Sequence, residues 1–264
     1  MEVIAYLASA LIGISLGLVG GGGSILTVPV LVYLFGVSPL LATSYSLFIV
    51  GSTSLVGAFQ NYRNGHVQVK TALLFGLSSV TTVWLTRKFL IPVIPHQIAS
   101  FEHFQLTERM LMMVLFAILM VIAAIAMIRS GKDNTAESVA VKSPNLAKLT
   151  FFGIGIGLTT GLLGAGGGFL LIPTLVVLLG LPMKEAIGTS LFIIALNSLI
   201  GFSGDFGHFE INWEFLLKIT LIAIAGIFIG GNISRKVDSR KLKIGFGWFV
   251  LIMGLYILTK EIFH

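Results

Sequence analysis

The chain has 264 residues, of which 56% are hydrophobic and only 11% charged, with a mean hydropathy of +0.99. A soluble domain carries about 25% charged residues, so the composition excludes a water-soluble enzyme, a nucleic-acid-binding domain and a disordered segment. The 17 Lys and Arg against 11 Asp and Glu, a net charge of +6, fit basic cytoplasmic loops of a membrane protein, and the absence of cysteine excludes disulfides and thiolate metal sites.

Residues 3–62 form a charge-free run of 60 residues. A bilayer span takes about 20 apolar residues, so this run enters the membrane more than once. No basic segment precedes it, so residues 3–35 are expected to belong to the mature fold rather than to a cleaved signal. As one helix they would be about 50 Å long, too long for a hydrocarbon core of about 30 Å. The run Gly20-Gly21-Gly22-Gly23-Ser24 interrupts them. Each glycine costs a helix about 1 kcal/mol relative to Ala. The expectation is a half-helix to Val19, an unwound turn, and a second helix from Ser24 to Phe35. Apolar segments of helix length follow at about 41–60, 70–91 and 109–129. Residues 129–148 are polar and charged and read as a cytoplasmic linker. A second broken element spans 147–180 around Gly164-Ala165-Gly166-Gly167-Gly168, followed by segments at about 186–204, 213–234 and 242–260. None alternates with the period of a barrel strand.

The two sets are copies of one another. With residue n set beside residue n+144, 20 of the 45 pairs between positions 13 and 57 are identical. The matches include Gly13/Gly157, Gly17/Gly161, Gly20/Gly164, Gly22/Gly166, Gly23/Gly167, Pro29/Pro173 and Ser46/Ser190. After a slip of two residues, Gly65-His66 matches Gly207-His208. The expected fold is therefore an all-α integral membrane protein of two homologous repeats, 1–128 and 149–264, joined by the linker. Each repeat has a Gly-broken element, re-entrant or paired half-helices, plus three transmembrane helices.

Charge distribution bears on topology. If each broken element crosses once, Lys and Arg divide 8 to 9 between the two sides. If neither makes a net crossing, 12 fall on the side of Arg63, Lys70, the linker, Lys184 and the 235–243 cluster, and 5 on the other. The positive-inside rule favours the second arrangement. It gives three net crossings per repeat, so the repeats are expected to be inverted, with a site at the midplane where the broken helices meet.

A helix that starts after a glycine turn presents free N–H groups and the positive end of its dipole, which suits an anion. The candidate binding residues are Gly21, Gly22, Gly23 and Ser24 in the first turn and Gly166, Gly167 and Gly168 in the second. Ser46, Thr53, Ser190 and Asn197, polar at equivalent positions of the following segments, are candidate donors. No acidic or basic residue falls deep in a predicted span, which disfavours cation pumping and proton relays. Arg63, His66, Asp205 and His208 lie near span ends and are candidates for gating or coupling. The lysine of a nucleotide-binding phosphate loop is missing after Gly23, and neither a metal-ligand spacing nor a nucleophile–base pair is evident. The expectation is therefore no enzyme, no cofactor and no metal.

The duplicated stretches Gly13–Pro29 and Gly157–Pro173 resemble the sulfite exporter TauE/SafE family, as do Ala42–Phe48, Ala186–Phe192 and the Gly-His steps. The resemblance covers essentially the whole chain. It implies a permease for sulfite, organosulfonates such as sulfoacetate, thiosulfate or other small sulfur-containing or carboxylate anions. Related thiosulfate importers use intramembrane cysteines; with none here, that mechanism does not carry over. The expected function is a secondary transporter, acting in export, of a small sulfur-containing or organic anion in a multi-pass cell membrane. Coupling to protons or to the membrane potential stays open, as does oligomeric assembly. The alternatives are a passive channel for anions or weak acids and a non-transporting assembly partner.

Overall fold

A computed structural model describes residues 2–93, 97–101, 104–130, 146–234 and 239–263. Most of the expected linker, 131–145, lies outside them, as does part of the 235–243 basic cluster.

The first broken element starts as α1, Glu2–Val19, and changes course at Gly20, whose φ of +69° a side chain would resist. The chain does not unwind there. Gly20–Leu26 continue as a 3-10 helix, and α2 runs from Thr27 to Tyr33, so the helix expected from Ser24 starts three residues later. The Ser24 Oγ donates to the Gly21 carbonyl at 2.8 Å, an i→i−3 closure that suits the tighter winding. The second element breaks more sharply. α6, Leu146–Leu163, ends at a turn in which Gly164, Gly166 and Gly167 have φ of +65°, +65° and +69°, and α7, Gly168–Leu179, begins where the sequence predicts. Gly180 stops α7 in a left-handed conformation, with its N–H on Val176 O and the Leu181 N–H on Leu175 O.

The long helices are α3 (Pro39–Arg63), α4 (Val69–Leu85), α5 (Glu108–Ser130), α8 (Met183–Gly204), α9 (Trp213–Ser234) and α10 (Ser239–Phe263). Pro39 opens α3 at a position where its missing N–H costs nothing. α4 carries on through a π-helical turn, Thr86–Leu90, and a 3-10 turn, Ile91–Val93. An antiparallel hairpin follows, β1 (Gln97–Phe101) against β2 (Phe104–Thr107), with Phe101 opposite Phe104. The sequence reading assigns these residues to no element.

Four pairings organise the helices: α1 with α9, α6 with α4, α3 with α8, and α5 with α10. The first two are close backbone seams between small residues. A Cβ on Gly13 would strike the Ala223 carbonyl, and one on Gly230 the Ile14 carbonyl. Along the other seam a Cβ on Gly157 would meet the backbone of Ser79. α3 and α8 run antiparallel, with Gly51 against Leu199 and Gly57 against Leu191. The core between them holds Leu16, Ile25, Leu47, Ile49, Phe75, Leu171 and Ile194.

Pro39–Arg63, Val69–Val93, Lys184–Gly204 and Trp213–Ile233 are long and apolar enough to cross a membrane. Large apolar side chains face outward along these helices and α10, with Leu77 76%, Leu221 66% and Ile252 63% exposed. Water would not tolerate that surface at such density, whereas lipid matches it. The protein is a multi-pass helical membrane protein.

Candidate functional site

The two glycine breaks meet inside the protein. Gly21 and Gly168 lie back to back, so close that a Cβ on either would fall on the backbone of the other. The neighbouring Ile194 leaves the Gly21 position no more room. Gly164 presses on Thr43 of α3, and the buried Ser46 Oγ donates to the Gly164 carbonyl at 2.7 Å. The second turn is therefore anchored to α3, the helix that follows the first.

Around this turn lie polar groups that lack a partner. Thr160 Oγ1 is next to Gly167 and Ser198 Oγ next to Gly166; both are fully buried and neither hydroxyl makes a hydrogen bond. Asn197 Oδ1 accepts from Ser79 Oγ at 2.9 Å, while its Nδ2 is unpaired. Thr27 Oγ1 and Ser54 Oγ are likewise buried and unpaired. A buried hydroxyl or amide without a partner costs about 1–3 kcal/mol. Thr160 and Ser198, beside the turn that opens α7, form a polar lining for the glycine crossing, and Asn197 follows on α8 towards Ser79 of α4. Gly168 opens α7, so its N–H and that of Phe169 precede the first intrahelical acceptors.

The other candidates are placed as follows. Gly22 and Gly23 belong to the 3-10 turn, and Ser24 is buried with its hydroxyl committed to Gly21. Thr53 Oγ1 donates to Ile49 O and Ser190 Oγ to Ile187 O, each back to its own helix. Arg63 is exposed at the end of α3, 6.0 Å from the Phe59 ring centre. His66 turns the chain after α3, where its carbonyl packs on Gly188. His208 is exposed, with its N–H on the Asp205 carbonyl.

Asp205 departs from the sequence picture. It caps α8 but is wholly buried, and its Oδ2 accepts from Arg87 Nη1 at 3.3 Å. Arg87, also 0% exposed, lies in the π-helical turn of the Val69–Val93 span. The expectation that no charge lies inside a span is corrected here: in the linear sequence Arg87 stands beside Lys88 at the end of an apolar segment, where an interfacial position is the ordinary outcome. Burial instead follows from Gly204, against which the Arg87 Cβ packs. The pair joins residues 118 apart, which no local pattern reveals. Sequence reasoning also passed over Thr160. The available signals were the shared Ser54/Ser198 position and the unmatched Arg87/Gly231 and Asn61/Asp205 positions at the repeat offset.

The chain is similar to known proteins over almost its whole length. The profile of the family described as "Sulfite exporter TauE/SafE" matches residues 5–257. A protein of Xylella fastidiosa named "Probable membrane transporter protein" is 26% identical over 98% of this chain and 95% of its own length. "Probable membrane transporter protein YdhB" of Bacillus subtilis is 27% identical over 97% of this chain and 100% of its own. A Haemophilus influenzae protein, also named "Probable membrane transporter protein", is 28% identical over 98% of each chain. No solved structure matches the chain.

Proposed function

The chain belongs to the sulfite exporter TauE/SafE family, and from that premise we propose that it is a secondary transporter, acting as an exporter, of small sulfur-containing or organic anions such as sulfite or sulfoacetate. The observation that carries this reading is the buried crossing of the two glycine breaks with the unpaired hydroxyls of Thr160 and Ser198 beside it. Backbone N–H groups at the start of α7 and these side chains supply donors without a fixed positive charge. Such a site holds an anion and also lets it leave. The two repeats are inverted in this reading. The antiparallel run of α3 on α8, helices at equivalent places in the two repeats, supports it, and each repeat lends its first helix to a helix of the other. Rocking of the two halves about the crossing then exposes the anion to either side. Export gains about 2.3 kcal/mol per charge per 100 mV in a negative-inside cell, so a monovalent anion can leave without a coupling ion.

The test is efflux from liposomes holding the purified protein, loaded in turn with sulfite, thiosulfate, sulfoacetate, taurine and acetate under imposed pH and voltage gradients. Saturable efflux of one anion class, abolished by Gly167→Leu in protein that still inserts, is expected. Flux that stays proportional to concentration into the millimolar range would instead mark a passive channel.

A further inference from the structure

Arg87 carries more donor capacity than its partner uses. A guanidinium has five N–H donors in a rigid plane. Here only Nη1 reaches Asp205, at 3.3 Å, which is long for a charge-assisted bond. Nε and Nη2 have no partner although both are buried. These two nitrogens form one side of the guanidinium fork, whose spacing fits two oxygens of a carboxylate, sulfonate or sulfite. Acceptor capacity is also left over: neither Asp205 Oδ1 nor Ser44 Oγ has a hydrogen bond of ordinary geometry, although the Ser44 hydroxyl lies close to that carboxyl. A pair kept for stability alone is a poor reason for such a group in a membrane span, because desolvation offsets most of its attraction.

Its position ties it to the glycine crossing. Thr43, the residue before Ser44, packs on Gly164, and Thr86, the residue before Arg87, packs on Gly161. Ser44 on α3 and Arg87 in the π-helical turn thus each follow a residue that packs on the end of α6 or on the glycine turn after it. Phe48, Phe202, Trp213 and Phe206 cluster one turn away along α3 and α8, with neighbouring ring centres 5.1–6.1 Å apart. The π-helical turn under Arg87 is a local irregularity of a kind that often marks functional positions.

We propose that Arg87, with Ser44, is an oxyanion station on the route to the glycine crossing, and that the Asp205 carboxylate is its internal occupant when no anion is bound. This deepens the anion-transport reading and rests on it. A two-oxygen anion displaces Asp205 from the guanidinium and takes the open fork. The site discriminates for oxyanions with two or more oxygens on one centre, which can meet two donors at once, over spherical anions.

The experiment measures both binding and flux. Detergent-purified wild type, Arg87→Lys, Asp205→Asn and the exchange Arg87→Asp/Asp205→Arg are heated with and without sulfite, and each is assayed for sulfite efflux from liposomes. Arg87→Lys keeps a charge for Asp205 but loses the fork. It should fold, while its half-saturating sulfite concentration rises about tenfold or more, the loss of one bond to a charged group. Asp205→Asn should be stabilised by sulfite at lower concentration than wild type, because the competing carboxylate is gone. The exchange should restore folding without restoring flux. Wild-type half-saturation in Arg87→Lys, or full flux in the exchange, overturns the proposal and leaves anion transport standing. Stabilisation of wild type over Arg87→Lys by added phosphatidylglycerol, with no difference towards sulfite, assigns the fork to a lipid phosphate and also overturns it. If wild type binds sulfite through Arg87 but moves no anion, the transport reading fails while the station stands.

Discussion

At the scale of single residues, Arg87 and Asp205 form a fully buried ion pair. Removing one partner of a buried pair leaves the other charge uncompensated, at about 3–5 kcal/mol. Asp205→Ala should therefore lower the thermal midpoint of the purified protein strongly, whereas Arg87→Met/Asp205→Leu should recover most of it. A thermal series on the two variants checks this; equal midpoints would mean that the pair is not dry. None of this was legible from residue types alone. Arg87 looks like an interfacial cation and Asp205 like a loop carboxylate until the fold brings Gly204 against Arg87 and closes the 118-residue gap. By contrast, the helix break at Gly167 was visible in sequence, because four glycines and a serine in one copy and Gly-Ala-Gly-Gly-Gly in the other serve no helix.

At the scale of elements, the sequence predicted the end of α1 at Val19 and the start of α7 at Gly168, and it located each long helix within a few residues. It did not predict that the first break stays wound. Ser24 stands where the second copy has Gly168, and its hydroxyl bond to Gly21 favours the 3-10 path over an open turn. The hairpin after α4 was hidden by its short, unpatterned strands. The α1–α9 seam tests how far packing depends on missing side chains. Gly13→Leu would drive a side chain into the Ala223 backbone, which cannot move aside as a rotamer can. The expected result is loss of monodisperse protein on gel filtration after detergent extraction, whereas Gly76→Leu, on a glycine with nothing within 4 Å of its Cβ position, should extract normally. Similar behaviour of the two would contradict the seam.

At the scale of the whole molecule, the proposed inversion of the repeats makes a prediction that the cysteine-free chain renders simple to test. The turns after α3 and α8 should lie on opposite sides of the membrane. In cells carrying the single substitution His208→Cys, an impermeant thiol reagent should label the protein directly. Gly65→Cys, exposed in the turn after α3, should be labelled only after permeabilisation. Labelling of both from one side would remove inversion and with it the rocking mechanism. The inference of inversion was available from charge counts and duplication, because both are written along the chain. The lining of the crossing was legible only in part: the shared Ser54/Ser198 position marks α8, whereas Thr160 on α6 stands opposite Leu16 at the repeat offset and carries no such signal.

The most direct test of an anion held at the glycine crossing is efflux by Thr160→Val/Ser198→Ala beside wild type. Both hydroxyls are buried and unpaired, so their removal breaks no hydrogen bond within the protein, and the variant should be at least as stable as its parent. If the crossing binds the anion, saturable sulfite or sulfoacetate efflux from liposomes should weaken by about tenfold or more, the loss of donors to a charged ligand. Efflux equal to wild type from the equally folded variant would contradict the assignment of the anion to the crossing.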